Sequence, residues 1–290
     1  MTDLTTDILR TELTTLASAL AEHEVPLIIG GGYGLLLRQE HIERSRAKTI
    51  RAIPTARSTN DIDVFLSTEI MINADKLIAL RQVLEAQGFT SIQGAEHYQF
   101  SREVTYRGVP RVLKVDLLAP PPRDLPHGTG IKVDKRRIRN AAAKGIHAHT
   151  TPEAFSITEN TTLLILSDNV PISVLLPHPY SFMVLKLFAY RDRKDDPRKD
   201  LGHYHAFDLY RIVAMITEDE YQSAERMRDA FDSDDIAKEA RRIVGEFFGG
   251  PDGAGALAIL EYARKLRADI GRSEVGAFLE DLQYFFPSAD

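Results

Sequence analysis

Leucines at 9, 13, 16 and 20 recur at spacings of three and four, and predict an amphipathic helix over residues 4–22. Val25-Pro26-Leu27-Ile28-Ile29 predicts a short strand running into Gly30-Gly31-Gly32-Tyr33-Gly34, followed by an apolar helical turn at Leu35-Leu36-Leu37. A polar, basic connection then spans about 38–60. Alternation with Val64 and Phe65 predicts a strand over 61–66, and a helix over 75–87 stops at Gly88. Two strands, 98–106 and 111–118, flank Gly108-Val109-Pro110, and Pro120-Pro121-Pro122 ends the second. Segments 161–166 and 172–176 read as a hairpin turning at Ser167-Asp168-Asn169. From Ser181 onward the period is helical, broken at Pro197, Gly202 and Gly249-Gly250-Pro251. The pattern predicts an α+β half over 1–177 and an all-helical C-terminal domain over 178–290, with the boundary near His178 and no internal repeat.

Composition narrows the class. The 290 residues are 43% hydrophobic and 27% charged, as in an ordinary globular protein. With no cysteine, a disulfide framework and a thiolate metal site are both excluded. The first residues carry acids where a secretory signal needs bases, and no apolar run reaches about 18 residues; a cytoplasmic protein without membrane segments is expected. The net charge of −6 argues against a globally basic coat. Two segments are nevertheless basic: Arg44, Arg46, Lys48, Arg51 and Arg57, and then Lys132, Lys135, Arg136, Arg137, Arg139 and Lys144. Each is either a solvated face or a place to meet phosphates.

The chemistry centres on Asp61-Ile62-Asp63-Val64-Phe65. On a strand, Asp61 and Asp63 point to one face while Ile62 and Val64 point to the other. Adjacent carboxylates repel unless a cation lies between them, and Mg²⁺ suits such oxygen ligands and shares its shell with substrate phosphates. Asp-x-Asp alone is a weak signal. Asp232-Ser233-Asp234 has it too, in a polar stretch before a helix where N-capping accounts for it. A third acid, Asp116, interrupts the apolar strand 112–118 on the same face as Lys114. If that strand lies beside 61–66, three carboxylates converge, as divalent-ion phosphoryl chemistry requires; otherwise Asp116 pairs with Lys114 or an arginine.

Gly30, Gly31 and Gly32 form neither a P-loop nor a dinucleotide fingerprint, since no Gly-Lys-Ser/Thr follows and Leu35 stands where a third spaced glycine belongs. They allow close backbone approach to a phosphate at a helix start, or simply make a tight strand–helix turn. Lys186 sits among apolar residues in Phe182–Ala189 and needs a partner if buried: a substrate phosphate, or an acid such as Asp208. His147 and His149 share a strand face, without an obvious acid to complete a ligand set.

The order Gly30-Gly31, Arg57-x-Thr59-x-Asp61-x-Asp63, a lone strand Asp116, Lys186 on a helix, then Asp208 resembles the DNA polymerase β-like nucleotidyltransferase superfamily, and within it the AbiEii/MenT-type toxins of bacterial toxin–antitoxin systems. The resemblance covers residues 27–211. It implies the nucleotidyltransferase-fold mixed sheet with flanking helices, and a nucleoside monophosphate transferred from an NTP. Asp61, Asp63 and Asp116 would hold Mg²⁺ (or Mn²⁺), with Asp116 helping to activate the acceptor hydroxyl. Gly30, Gly31, Gly32, Arg57 and Thr59 would contact the triphosphate, with Lys186 and Asp208 matching the superfamily's helical lysine and following acid. The toxin likeness implies a tRNA 3′ end as acceptor and a cognate antitoxin as partner. An aminoglycoside-like or protein hydroxyl is the second reading, and a catalytically inactive nucleotide- or partner-binding module the third. The chain departs from the superfamily's usual spacing: thirty residues and a basic insertion separate Gly31 from Asp61.

Overall fold

The computed structural model describes residues 4–54, 56, 59–106, 108–123, 128–167 and 171–288. The chain divides into two compact units: a sheet unit, Met1–Leu37 with Arg57–Pro177, and a helical unit, Arg38–Ala56 with His178–Asp290.

The sheet unit begins with α1 (Leu4–Ala21), β1 (Ile28–Ile29) and α2 (Gly31–Ser45), whose residues from Arg38 onward belong to the helical unit. It continues with β2 (Asp61–Phe65), α3 (Thr68–Ile72), α4 (Ala74–Ala86), β3 (Thr90–Ser91), β4 (Gln99–Tyr106) and β5 (Val109–Ala119). Three short strands follow, β6 (Ile131–Val133), β7 (Arg137–Asn140) and β8 (His147–Thr150), and then the hairpin β9 (Thr162–Ser167) and β10 (Ile172–Leu176). All join one mixed sheet of order β6-β7-β8-β5-β2-β1-β10-β9, with β4 beside β5 and β3 beside β4. The long strand β5 organises it. Residues 114–118 run parallel to β2 on one side, while β4 pairs antiparallel on the other until β8 takes over at Leu118 and Ala119.

One face of this sheet is apolar by alternation. Ile62, Val64, Val115, Leu117, Ala119, Ile138 and Ala148 bury there in one cluster with Leu9, Leu13, Leu16 and Leu20 of α1 and Leu77, Leu80 and Leu84 of α4. The opposite face therefore carries Asp61 and Asp63 of β2, Lys114 and Asp116 of β5, and the histidines of β8.

Three sequence expectations need correction. The strand expected from Val25 shortens to Ile28–Ile29, since Pro26 lacks the N–H a ladder needs. The connection expected from Arg38 is helical as far as Ser45. Arg38 is buried, donating to Glu220 (2.5 Å) and to the Met215 carbonyl (3.1 Å), so a charged residue occupies an inward position that the polar pattern masks. Strands β6 and β7 were not expected, since their residues read as a cationic cluster. The turn expected at Asp168 and Asn169 lies outside the described residues.

The helical unit contains α5 (Pro179–Arg193), α6 (His203–Ala214), α7 (Glu218–Ala230), α8 (Asp235–Phe247), α9 (Ala254–Leu266) and α10 (Arg272–Phe285). The segment 49–51 is strapped to it. Thr49 bridges Thr217, the Ile50 amide donates to the Ile216 carbonyl (3.0 Å), and Arg51 pairs with Asp281. Asp234 caps α8, accepting from the amides of Ile236 (2.8 Å) and Ala237 (3.3 Å), so the second Asp-x-Asp is accounted for by capping. Lys186 of α5 and Asp208 of α6 form a 2.8 Å ion pair, both buried, and Arg211 approaches the same carboxylate at 3.5 Å.

Removing the shared acid leaves two buried cations facing each other. Asp208→Ala is expected to destabilise the fold by about 3–5 kcal/mol, against about 1 kcal/mol for the cap substitution Asp234→Ala; urea unfolding of the two variants checks this difference.

Candidate active site

Two carboxylates meet across parallel strands. Asp63 and Asp116 are direct register partners, as are Asp61 and Lys114, and parallel pairing puts each pair on the same face. The condition set by the sequence is met: the strand bearing Asp116 lies beside the strand bearing Asp61 and Asp63. On its far side Asp116 has Gln99 of β4 as register partner, and the Gln99 amide donates to Asp116 Oδ2 at 3.1 Å. Gln99 could not be singled out from sequence, because only the β4–β5 register reveals its place.

The electrostatics follow from this placement. Burial first, then the charges of Asp63 and Asp61, push the Asp116 carboxyl up to about 6 against the opposing Gln99 hydrogen bond and Lys114. Oδ1 of Asp61 and Oδ1 of Asp116 are both buried without a hydrogen-bond partner. Buried acceptor oxygens beside a third carboxylate fit a divalent cation, which neutralises the repulsion and takes the orphan lone pairs. Among the described residues no three His, Cys, Asp or Glu side chains form a ready-made ligand cluster. Mg²⁺ does not need one, since it keeps several waters and substrate phosphate oxygens in its shell and takes only one or two carboxylates from the protein.

The glycine turn lies against the same residues, despite being thirty positions away in the chain. The Gly30 amide donates to the Asp63 carbonyl at 2.9 Å. A Cβ on Gly30 would meet the Phe65 ring at 2.3 Å. Gly31 has φ +63°, and a Cβ there would fall 1.6 Å from Asp63 Oδ2. No side chain fits at 31 while Asp63 holds its position. The helix α2 starts at this point, with Gly34 donating to the Gly30 carbonyl at 2.7 Å, so its first amides are left over by the helix itself beside the carboxylate pair. Gly32 is buried in the first turn, Thr59 precedes β2 by two residues, and Arg57 lies outside the described residues.

Further along the same face the charge changes sign. Leu118 is in register with His149, His149 with Arg137, His147 with Arg139, and Arg139 with Lys132. Tyr98 lies 5.4 Å from His149 and His97 lies 4.5 Å from His147, ring centre to ring centre. Burial, then His97 and the nearby arginines, hold His147 down at about 4; burial and Arg136 lower His149, so both rings are neutral near pH 7. The histidine pair is thus flanked by cations, which makes it ill suited to a cation site.

Lys186 and Asp208 belong to the helical unit, where each is the other's ion-pair partner. A Ser–His pair also occurs there. His178 Nδ1 accepts from the Tyr180 amide, so Nε2 carries the proton and donates to Ser223 (2.6 Å), while the Ser223 hydroxyl donates to the Glu220 carbonyl. That imidazole caps α5 and has no lone pair left to act as a base toward the serine.

Residues 47–231 match the family described as Nucleotidyltransferase. The chain belongs to this nucleotidyltransferase family. The matched span, more than half of the chain, contains all three carboxylates. A crystal structure of an antigenic nucleotidyltransferase-like protein from Paracoccidioides brasiliensis is similar at 14% identity and TM-score 0.45, over 95% of this chain and 93% of that one. The solution structure of the antibiotic-resistance factor ANT(2'')-Ia is similar at 13% identity and TM-score 0.35, over 78% of this chain and 96% of that one. No curated protein sequence matches the chain.

Two expectations test this geometry. Gly31→Ala keeps a left-handed backbone that costs roughly 1–2 kcal/mol for a side chain, and must displace Asp63; it is expected to lower the melting temperature and to abolish any stabilisation that added Mg²⁺ produces in the wild type. Because the folded pKa of Asp116 is raised from the ordinary 3.8 of an aspartate to about 6, the metal-free native state holds its proton more tightly than the unfolded chain does. The stability from this group is full below about pH 4 and lost as pH rises through about 6. Thermal melts of wild type against Asp116→Asn over pH 4–7 are expected to show this loss in the wild type only.

Proposed function

We propose that the chain transfers a nucleoside monophosphate from an NTP to an acceptor hydroxyl at Asp61, Asp63 and Asp116. The observation that carries this reading is the cross-strand pair Asp63–Asp116 with Gly31 packed against it. Asp61 and Asp63 hold Mg²⁺ (or Mn²⁺), which when bound supplies charge neutralisation for the triphosphate. Asp116, with its raised pKa, accepts the proton of the acceptor hydroxyl. The acceptor oxygen bonds to the α-phosphorus as the α–β bridging bond breaks, and pyrophosphate leaves. Gly30, Gly31, Gly32 and Thr59 line the approach of the triphosphate by close backbone contact.

The acceptor we favour is the 3′ end of an RNA. Lys132, Arg137 and Arg139 lie on the same sheet face as the carboxylates, with Tyr98, His97, His147 and His149 offering ring faces between them. Cations for phosphates and flat rings for bases suit a single strand, whereas a polycationic aminoglycoside would call for acids there. On the strength of the motif order, the reading extends to tRNA as the RNA, and to a role as the toxin paired with an antitoxin.

Incubating purified protein with Mg²⁺, each α-labelled NTP and total tRNA tests this. Label is expected on RNA with one or more nucleotides, absent for a folded Asp61→Ala variant, and reduced at least tenfold for Arg137→Ala/Arg139→Ala with a shallower salt dependence. Label retained by Asp61→Ala sinks the carboxylate assignment. NTP-dependent labelling of a small molecule or protein alone sinks the RNA acceptor.

A further inference from the structure

Residues 50–54, Tyr210 of α6, the connection 267–270 and Glu274 of α10 line an open cavity of about 580 Å³ inside the helical unit. That is the size of a small-molecule site. Three observations distinguish it from a packing gap.

Arg267 closes α9 at φ 55°, in the left-handed region where glycine is the unstrained choice. The strain is borne by a residue whose guanidinium makes no ion pair with the described residues. Asp269, two positions on, likewise makes no ion pair with the described residues. Tyr210 is only 5% exposed, its ring packed between Phe207 and Phe278, yet its hydroxyl has no hydrogen-bond partner among the described residues. The phenol stands near Arg51 and Glu274. Arg51 is engaged by Asp281, and Glu274 accepts from the Gly271 amide at 2.9 Å. Arg267 and Asp269 are exposed to solvent, so apart from the engaged Arg51 and Glu274 the cavity presents one hydrated cation, one hydrated anion and one inward hydroxyl beside the apolar side chains of Ile50, Ile53, Pro54 and Ile270.

We propose that this cavity binds a small zwitterion with an apolar side chain, the chemistry shared by free apolar α-amino acids and apolar dipeptides. Arg267 and the Tyr210 hydroxyl take the carboxylate, Asp269 takes the ammonium, and the isoleucines cover the side chain. All these residues lie in the helical unit, so the site stands or falls independently of the transferase reading.

Isothermal titration of the full chain with leucine, phenylalanine and Leu-Leu, without NTP, tests it. Saturable binding of at least one is expected, weakened roughly tenfold or more for glycine, N-acetyl-leucine and leucinamide, each of which lacks one recognised feature. Arg267→Gly is expected to raise the melting temperature by relieving the backbone while losing the binding, which separates recognition from folding. Asp269→Asn is expected to bind leucine no better than N-acetyl-leucine. The proposal is overturned if no zwitterion binds saturably, if N-acetyl-leucine binds as tightly as leucine, or if both variants bind like the wild type. Leucine against Leu-Leu decides between amino acid and dipeptide.

Discussion

Two negative charges set side by side on neighbouring strands push the sheet apart, and everything around Asp63 and Asp116 answers that repulsion. The opposite face of the same strands supplies the counterforce: Ile62, Val64, Val115 and Leu117 are almost wholly buried against α1 and α4. Sliding either strand to separate the acids would turn those side chains out of the core. The acids are therefore held close by hydrophobic burial of about 1.5–3 kcal/mol per large side chain, and the strain appears as the raised Asp116 pKa and the orphan oxygens. A cation there would relieve both. The crowding that would favour a cation is thus built by the core rather than by the acids themselves.

How much of this is legible in the chain depends on whether a feature is local. The apolar setting of Asp61-Ile62-Asp63-Val64 distinguishes it from Asp232-Ser233-Asp234, and the second pair is indeed a helix cap. The α+β half and the helical half follow from the change of period after Pro177. What escapes is everything fixed by register. Gln99 becomes a partner of Asp116 only because β4 folds back on β5. The histidines of β8 acquire meaning only from the arginines opposite them. Arg38 reads as the start of a polar connection, yet it lies at an inward helical position with Glu220 as its partner. Gly31 was spaced far from Asp61 by superfamily standards; the fold brings its backbone against Asp63, because the chain between them departs into the helical unit and returns.

The helical unit manages charge differently. Lys186, Asp208 and Arg211 form a buried cluster, where one carboxylate is shared by two cations. Such a cluster adds little net stability over apolar packing, but removing one member is costly, so it fixes how α5 and α6 face each other. In the sheet unit like charges face each other across neighbouring strands; here one carboxylate draws two cations together.

The strand β5 touches β2, β4 and β8 in turn, and this makes it the molecule's ruler. Its side chains alternate between the core and the acid-bearing face, so inserting or deleting one residue within 113–118 would turn Asp116 toward the core and present apolar side chains on the face that carries Asp61 and Asp63. A connection that keeps no register with a neighbouring strand is under no such constraint. The length of the approach to the acids can change without moving them, while the spacing between the acids themselves is fixed by the pleat.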